Sequence, residues 1–217
     1  MNFFTTTQLI AKEGWRDVFF AGAIFVLAWL FSFMSWFFFL VFAGIAFLYR
    51  NPERIAQEED ENAIIAPVDG VVRSIEQVSA SDGKKWLKVV IQKRFFDVGV
   101  VRSPMEMSLK EVYKKEGLPL ASTSSLSPIL RAKASFVFQK NASEVRMILY
   151  TGAYSRTINF ASKRGRFKVG ERLAFLSEGD VGLLLPLDAR IKVVLNDEIK
   201  AGESVLGYLA HTKVNHE

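Results

Sequence analysis

Cysteine is absent from all 217 residues, which excludes disulfides, thiolate zinc sites and a cysteine nucleophile. Histidine is nearly as scarce. The two present, His211 and His216, fall in the last seven residues, so no histidine is placed to act as a general base inside a globular part. Charge is missing from one long stretch: residues 18–49, VFFAGAIFVLAWLFSFMSWFFFLVFAGIAFLY, contain no Asp, Glu, Lys or Arg.

That uncharged run reads as a membrane segment, since about 20 apolar residues suffice to cross a bilayer core. It is too long for one comfortable helix and short for two full ones. A tight transmembrane hairpin bending near FSFMSW is the preferred form, because Ser32 and Ser35 flank Met34 at the middle; one long tilted helix is the alternative. Lys12 and Arg16 precede the run and Arg50 and Arg54 follow it. Cationic flanks favour the cytoplasmic side, and a hairpin places both there. A cleavable signal peptide does not fit, because the run is about twice the length of a signal core and Arg50-Asn51-Pro52 follows it in place of small residues.

The length allows one domain beside such a segment. A polar linker, 50–62, leads to a change of pattern: short runs rich in Val, Ile and Phe, broken by Gly, Pro, Asp and Ser every ten residues or so, which is the mark of a β domain over 63–217. Strands are expected at 63–66, 70–77, 86–92, 97–102, 107–113, 134–139, 144–150, 157–161, 172–176, 182–185 and 190–195. The segment 114–133, with its Ser-Thr-Ser-Ser run, reads as a loop. The stretches FKVGERLAFL (167–176) and IKAGESVLGYL (199–209) share a Lys-x-Gly-Glu turn. Either they are two turns that each place glycine at positive φ, or they mark a pseudo-symmetric barrel-sandwich of the kind seen in lipoyl and biotinyl carriers. The attachment lysine of such carriers is missing. The formal charge of +5 is spread among the strands, so an anionic lipid surface is the expected partner and nucleic acid is not.

Several motifs, in order, resemble the short bacterial and archaeal type of phosphatidylserine decarboxylase. They are IAKEGW (10–15), LYRNPER (48–54), APVDGVV (66–72), FFDVGVVRSP (95–104), TGAYSRTI (151–158) and the tail FKVGERLAFL…LLLP…IKAGESVLGYL. The resemblance implies a mainly β, decarboxylase-like sandwich on a membrane anchor. It also implies a proenzyme that cuts itself at a Gly-Ser bond and converts the serine to a pyruvoyl group. Asp69 matches the family's Pro-x-Asp-Gly aspartate, while Asp97, Val98, Val100, Arg102 and Pro104 match its Asp-Val-His-Val-Asn-Arg motif. The family's histidine position is Gly99 and its asparagine position Val101. Counting back from Pro186, the processing serine falls on Gly179 and the glycine before it on Glu178.

These departures bear on the chemistry. The acyl shift that opens the chain needs a hydroxyl beside the scissile carbonyl and a base to activate it. Gly179 has no hydroxyl and Gly99 no base, and Ser177 is two residues early. The expected protein is therefore a membrane-anchored, non-processing homologue at the cytoplasmic face of the inner membrane. It would bind an aminophospholipid or modulate a true decarboxylase, as a homodimer or paired with it. No cofactor is expected, a pyruvoyl group arising only if processing occurs, and no metal. An active decarboxylase with an unconventional processing site and a structural scaffold are the two rivals. Asp69 is either a retained site residue or a turn former. Arg102 and Arg156, in the substrate-side motifs, are the expected phosphate contacts, because a guanidinium offers a bidentate fork; an ordinary surface arginine is the other reading of Arg102.

Overall fold

A computed structural model of the chain describes residues 9–54, 60–79, 83–118, 120, 130–140, 143–155, 158–160 and 165–210. Arg156, His211, His216 and the Ser-Thr-Ser-Ser run lie outside them. The chain forms two compact units, Met1–Glu53 and Arg54–Glu217.

In the first unit a 3-10 turn (Lys12–Gly14) leads into helix α1 (Trp15–Leu30), and helix α2 (Ser35–Leu48) returns beside it. The four residues between them turn tightly, with Ser32 and Met34 both at positive φ. The two helices are antiparallel: Phe25 meets Phe39 and Phe42 at ring separations of 5.6 and 6.3 Å, and near the open end the Tyr49 hydroxyl donates to Asp17 at 2.9 Å. The bend near FSFMSW is therefore present, but the transmembrane expectation needs correction. Among the described residues no helix is long and apolar enough to cross a membrane. At 1.5 Å per residue the helices reach about 24 and 21 Å, short of a hydrocarbon core of about 30 Å.

Among its described residues the second unit has fourteen strands: β1 (Ala63–Ile65), β2 (Gly70–Ser79), β3 (Lys85–Lys93), β4 (Val100–Arg102), β5 (Met107–Lys115), β6 (Lys133–Lys140), β7 (Ser143–Thr151), β8 (Asn159–Phe160), β9 (Arg166–Phe167), β10 (Arg172–Phe175), β11 (Gly179–Leu185), β12 (Arg190–Ile191), β13 (Glu198–Ile199) and β14 (Val205–Tyr208). The expected sandwich is replaced by one eight-stranded sheet in the order β13-β2-β3-β11-β7-β6-β5-β9, curled as a half-barrel, and two three-stranded sheets, β1-β14-β12 and β4-β10-β8. The physical reason lies in the long strands. Register shifts between Val72 and Ser74 and between Leu109 and Glu111 act as bulges, which sharpen twist and let one sheet wrap its own core.

Alternation fixes which face is inward. In β6 and β7 every second residue is buried, giving Ala134, Phe136 and Phe138 opposite Val145, Met147 and Leu149, as a half-buried antiparallel sheet requires. The central strand β11 adds Val181, Leu183 and Leu185. The repeated turns are real and local: Gly170 and Gly202 sit at φ +72 and +74°, a conformation glycine adopts without steric cost. Each turn docks on one of the sequence motifs. Gly202 donates to the Ala66 carbonyl and Ala66 to that of Ser204; Gly170 donates to Ser103 and Ser103 to Glu171. The turns thereby bring APVDG and VVRSP side by side, with the Arg102 amide donating to the Pro67 carbonyl at 2.8 Å.

Phe138 stacks on Phe136 at 5.9 Å and meets Phe167 edge-on at 6.4 Å. Phe138→Ala should destabilise the β unit by about 3–5 kcal/mol, read as a lowered denaturant midpoint with an unchanged slope.

Candidate functional site

Asp69 precedes Gly70 at the start of β2 and is buried. Its carboxylate accepts from both terminal nitrogens of Arg54, the second at 2.8 Å, from the Ala201 amide at 2.8 Å and from the Val98 amide. A carboxylate has about four lone-pair positions, so these four donors saturate it. Burial raises the Asp69 pKa, but the Arg54 guanidinium and the two amides outweigh it and hold the group below the usual carboxylate value. A side chain so bound is a fixed anion rather than a proton carrier.

Arg102, in β4, is half-buried rather than an ordinary surface arginine, and its Nη1 donates to the Gly170 carbonyl at 3.1 Å. Burial lowers its pKa, and the like charges of Arg54 and Arg172 lower it further while Asp69 opposes them. Arg54 and Arg172 thus lie close enough to Arg102 to repel it, with Asp69 as the counter-charge near Arg102 and Glu203 near Arg54.

The segment after Val98 runs antiparallel to β10, with Val100 opposite Phe175 and the Leu176 amide donating to the Gly99 carbonyl at 2.8 Å. A Cβ built on Gly99 would collide with the tip of the Phe175 ring. The space a larger residue would need at position 99 is therefore filled by an aromatic side chain from the neighbouring strand.

Gly179 opens β11 between Lys93 of β3 and Thr151 of β7. Its φ is +150°, and a Cβ there would collide with the Tyr150 carbonyl oxygen. The Glu178 carbonyl accepts from the Gly152 amide at 2.8 Å, and the Glu178 carboxylate accepts from the Tyr154 amide at 3.0 Å. The carbonyl at the counted cleavage position thus accepts one backbone hydrogen bond, and residue 179, a glycine, has no hydroxyl.

Buried cations brace this corner. Lys93 is 1% exposed, and its ammonium donates to the carbonyls of Arg94, Asp97 and Ser177 at 3.0, 2.9 and 2.7 Å, so the 94–97 turn and the approach to Glu178 share one charge. Arg131 pairs with Asp180 at 2.5 Å and donates to the Thr151 carbonyl at 2.5 Å. Among the motif positions, Asp69 is tied to the 97–102 segment through Val98, and Gly99 is joined to the strand that leads to Glu178 and Gly179. Asp97 caps its own turn, accepting from the Arg94 amide at 2.9 Å. Sequence reading missed four contributors. Arg54 was read only as a flanking charge, Lys93 fell one residue beyond the expected strand, Arg131 lay in the expected loop, and nothing in the sequence pointed to Phe175 as the occupant beside Gly99.

Residues 43–207 match the family described as phosphatidylserine decarboxylase. The chain is 32% identical over 214 residues to the phosphatidylserine decarboxylase proenzyme of Geobacter metallireducens, covering 92% of this chain and 96% of that protein. It is 30% identical over 202 residues to the phosphatidylserine decarboxylase proenzyme of Carboxydothermus hydrogenoformans, covering 90% and 94%. The chain belongs to the phosphatidylserine decarboxylase family.

Asp69→Asn removes the anion but leaves Arg54 buried, and should cost about 3 kcal/mol at neutral pH. Because the folded pKa of Asp69 is depressed, its stabilisation is present above the unfolded value of about 4 and is lost as pH falls through the folded value. Melting temperature against pH should therefore show the wild type and Asp69→Asn well separated at pH 7 and converging below about pH 4.

Proposed function

We propose that the protein is a membrane-associated, non-processing member of the family that holds phospholipid without decarboxylating it. The observation that carries this reading is Gly179: at φ +150° and against the Tyr150 carbonyl, the position lacks both the nucleophile for chain opening and the room for a side chain that could supply one. Phe175 filling the space beside Gly99 supports it, since the base position is closed as well. With no pyruvoyl group formed, no Schiff base with a substrate amine follows and there is no electron sink for loss of carbon dioxide.

The helical hairpin supports a lipid partner. Phe19, Phe20, Trp29, Phe31, Phe33 and Trp36 are each more than half exposed, and so many large apolar side chains left open mark an interaction surface. Helices too short to span suit a hairpin that dips into the bilayer and returns, with both basic ends on the cytoplasmic face of the inner membrane. The cationic cluster of Arg54, Arg102 and Arg172 supports a phosphate contact at Arg102, the one of the two expected arginines within the described residues. No observation favours the scaffold reading or an unconventional cleavage site.

Two results test this. Gly179→Ser should leave the chain uncut on a denaturing gel and should lower its melting temperature, because the new Cβ meets backbone. Appearance of a fragment of about 4 kDa, the mass of the residues from 179 onward at roughly 110 Da each, would overturn the reading. Full-length protein in detergent, titrated with dioctanoyl phosphatidic acid, should lose about tenfold in affinity on Arg102→Ala at high as well as low salt. Loss at low salt only would mean simple surface attraction.

A further inference from the structure

Around a hydrogen-bond partner of Glu178 stands a group of aromatic side chains. Tyr154, whose amide holds the Glu178 carboxylate at 3.0 Å, turns its ring outward with 74% exposure. That ring meets Phe95 edge-on at 5.5 Å, and Phe95 meets Phe96, itself 68% exposed, at 5.4 Å and 81°. Three aromatic rings set at steep angles to one another therefore share a small surface patch, and the Tyr154 backbone ties the Glu178 carboxylate to the segment that carries one of them. Both supporting turns are fixed: 94–97 by the Lys93 ammonium and the Asp97 cap, 152–155 by the Gly152 amide on the Glu178 carbonyl. Among the described residues no basic side chain pairs with Glu178.

Ring faces carry negative quadrupole potential and attract ammonium groups; a carboxylate adds full charge and hydrogen-bond acceptance. We propose that Glu178 with Phe95, Phe96 and Tyr154 forms a site for the cationic amine of a lipid headgroup that carries no carboxylate of its own. The sign of the selectivity follows from Glu178. A serine headgroup would bring a second carboxylate, attached to the same carbon as its amine, toward a fixed negative charge, and like charges repel. An ethanolamine headgroup brings the same ammonium and phosphate without that carboxylate. The site thus favours the decarboxylated amine over the amino acid form, by non-covalent capture. Glu178 lies beyond the far end of β10 from Arg172, so this site is separate from the Arg102 cluster, and the inference rests on the proposed function only in taking lipid as the source of the amine.

The test is calorimetric titration of the full chain in a non-ionic detergent with dihexanoyl phosphatidylethanolamine, phosphatidylserine and phosphatidylglycerol, with free ethanolamine as competitor. The wild type should bind the ethanolamine lipid at least about fivefold more tightly than the serine lipid, and the glycerol lipid weakest. Glu178→Gln keeps an acceptor for the Tyr154 amide but removes the charge; it should weaken the ethanolamine lipid about tenfold and abolish discrimination against the serine lipid. Tyr154→Leu and Phe96→Ala, at exposed positions, should each cost about threefold and serve if Glu178→Gln does not fold. Competition by free ethanolamine at concentrations comparable to the lipid would support the amine site and overturn lipid as its source. Equal affinity for the ethanolamine and glycerol lipids, or unchanged affinity in Tyr154→Leu and Phe96→Ala, would overturn the site while leaving the phosphate contact at Arg102 to stand on its own titration.

Discussion

One carboxylate organises the second unit. Asp69 binds Arg54 at the start of that unit, the Val98 amide in the 97–102 segment and the Ala201 amide in a repeated turn. Four stretches far apart in sequence therefore meet at one buried anion, and a buried charge is tolerable only when its lone pairs are met in this way. The two Lys-x-Gly-Glu turns close the same arrangement from opposite sides through Ala66 and Ser103. Because Asp69 holds these pieces together, the stretches that carry the family motifs are fixed in one framework around it.

At that position the substitutions are structurally connected. Position 99 is a glycine and its space is taken by Phe175; Phe175 leads through Leu176 and Ser177 to Glu178, whose carboxylate and carbonyl are both anchored on the 152–154 turn. Gly179 then enters the sheet against the Tyr150 carbonyl. A side chain at 99 would have to displace the tip of the Phe175 ring, and one at 179 would meet backbone. The Gly152 amide holds the Glu178 carbonyl in place as an ordinary backbone hydrogen bond.

Much of the β unit was legible because apolar alternation and Gly-rich turns are local signals. The long strands stand close to their expected bounds, and the bend of the hairpin falls at the Ser-flanked Met34. Three short strands, β9, β13 and β14, were not expected, because their pairing with distant strands and not a local run of apolar residues makes them strands, and β11 begins at Gly179, three residues before its expected start. The single curled sheet was missed because strand order depends on pairings such as β3 with β11, separated by more than eighty residues, and on bulges that composition does not announce. Motif positions gave Asp69, Gly99 and Gly179 directly. Their partners Arg54, Lys93, Arg131 and Phe175 are set by tertiary packing, and a buried lysine at the end of a strand reads in sequence like any solvated one.

The central claim is that the backbone between Glu178 and Gly179 is never opened. Intact-mass spectrometry of the full-length protein, purified from cells after prolonged expression and treated with borohydride and an amine, tests it most directly. The account predicts one species at the mass of the uncut 217-residue chain with no adduct. A break between Leu176 and Val181, or an amine trapped on a new pyruvoyl terminus, would contradict it.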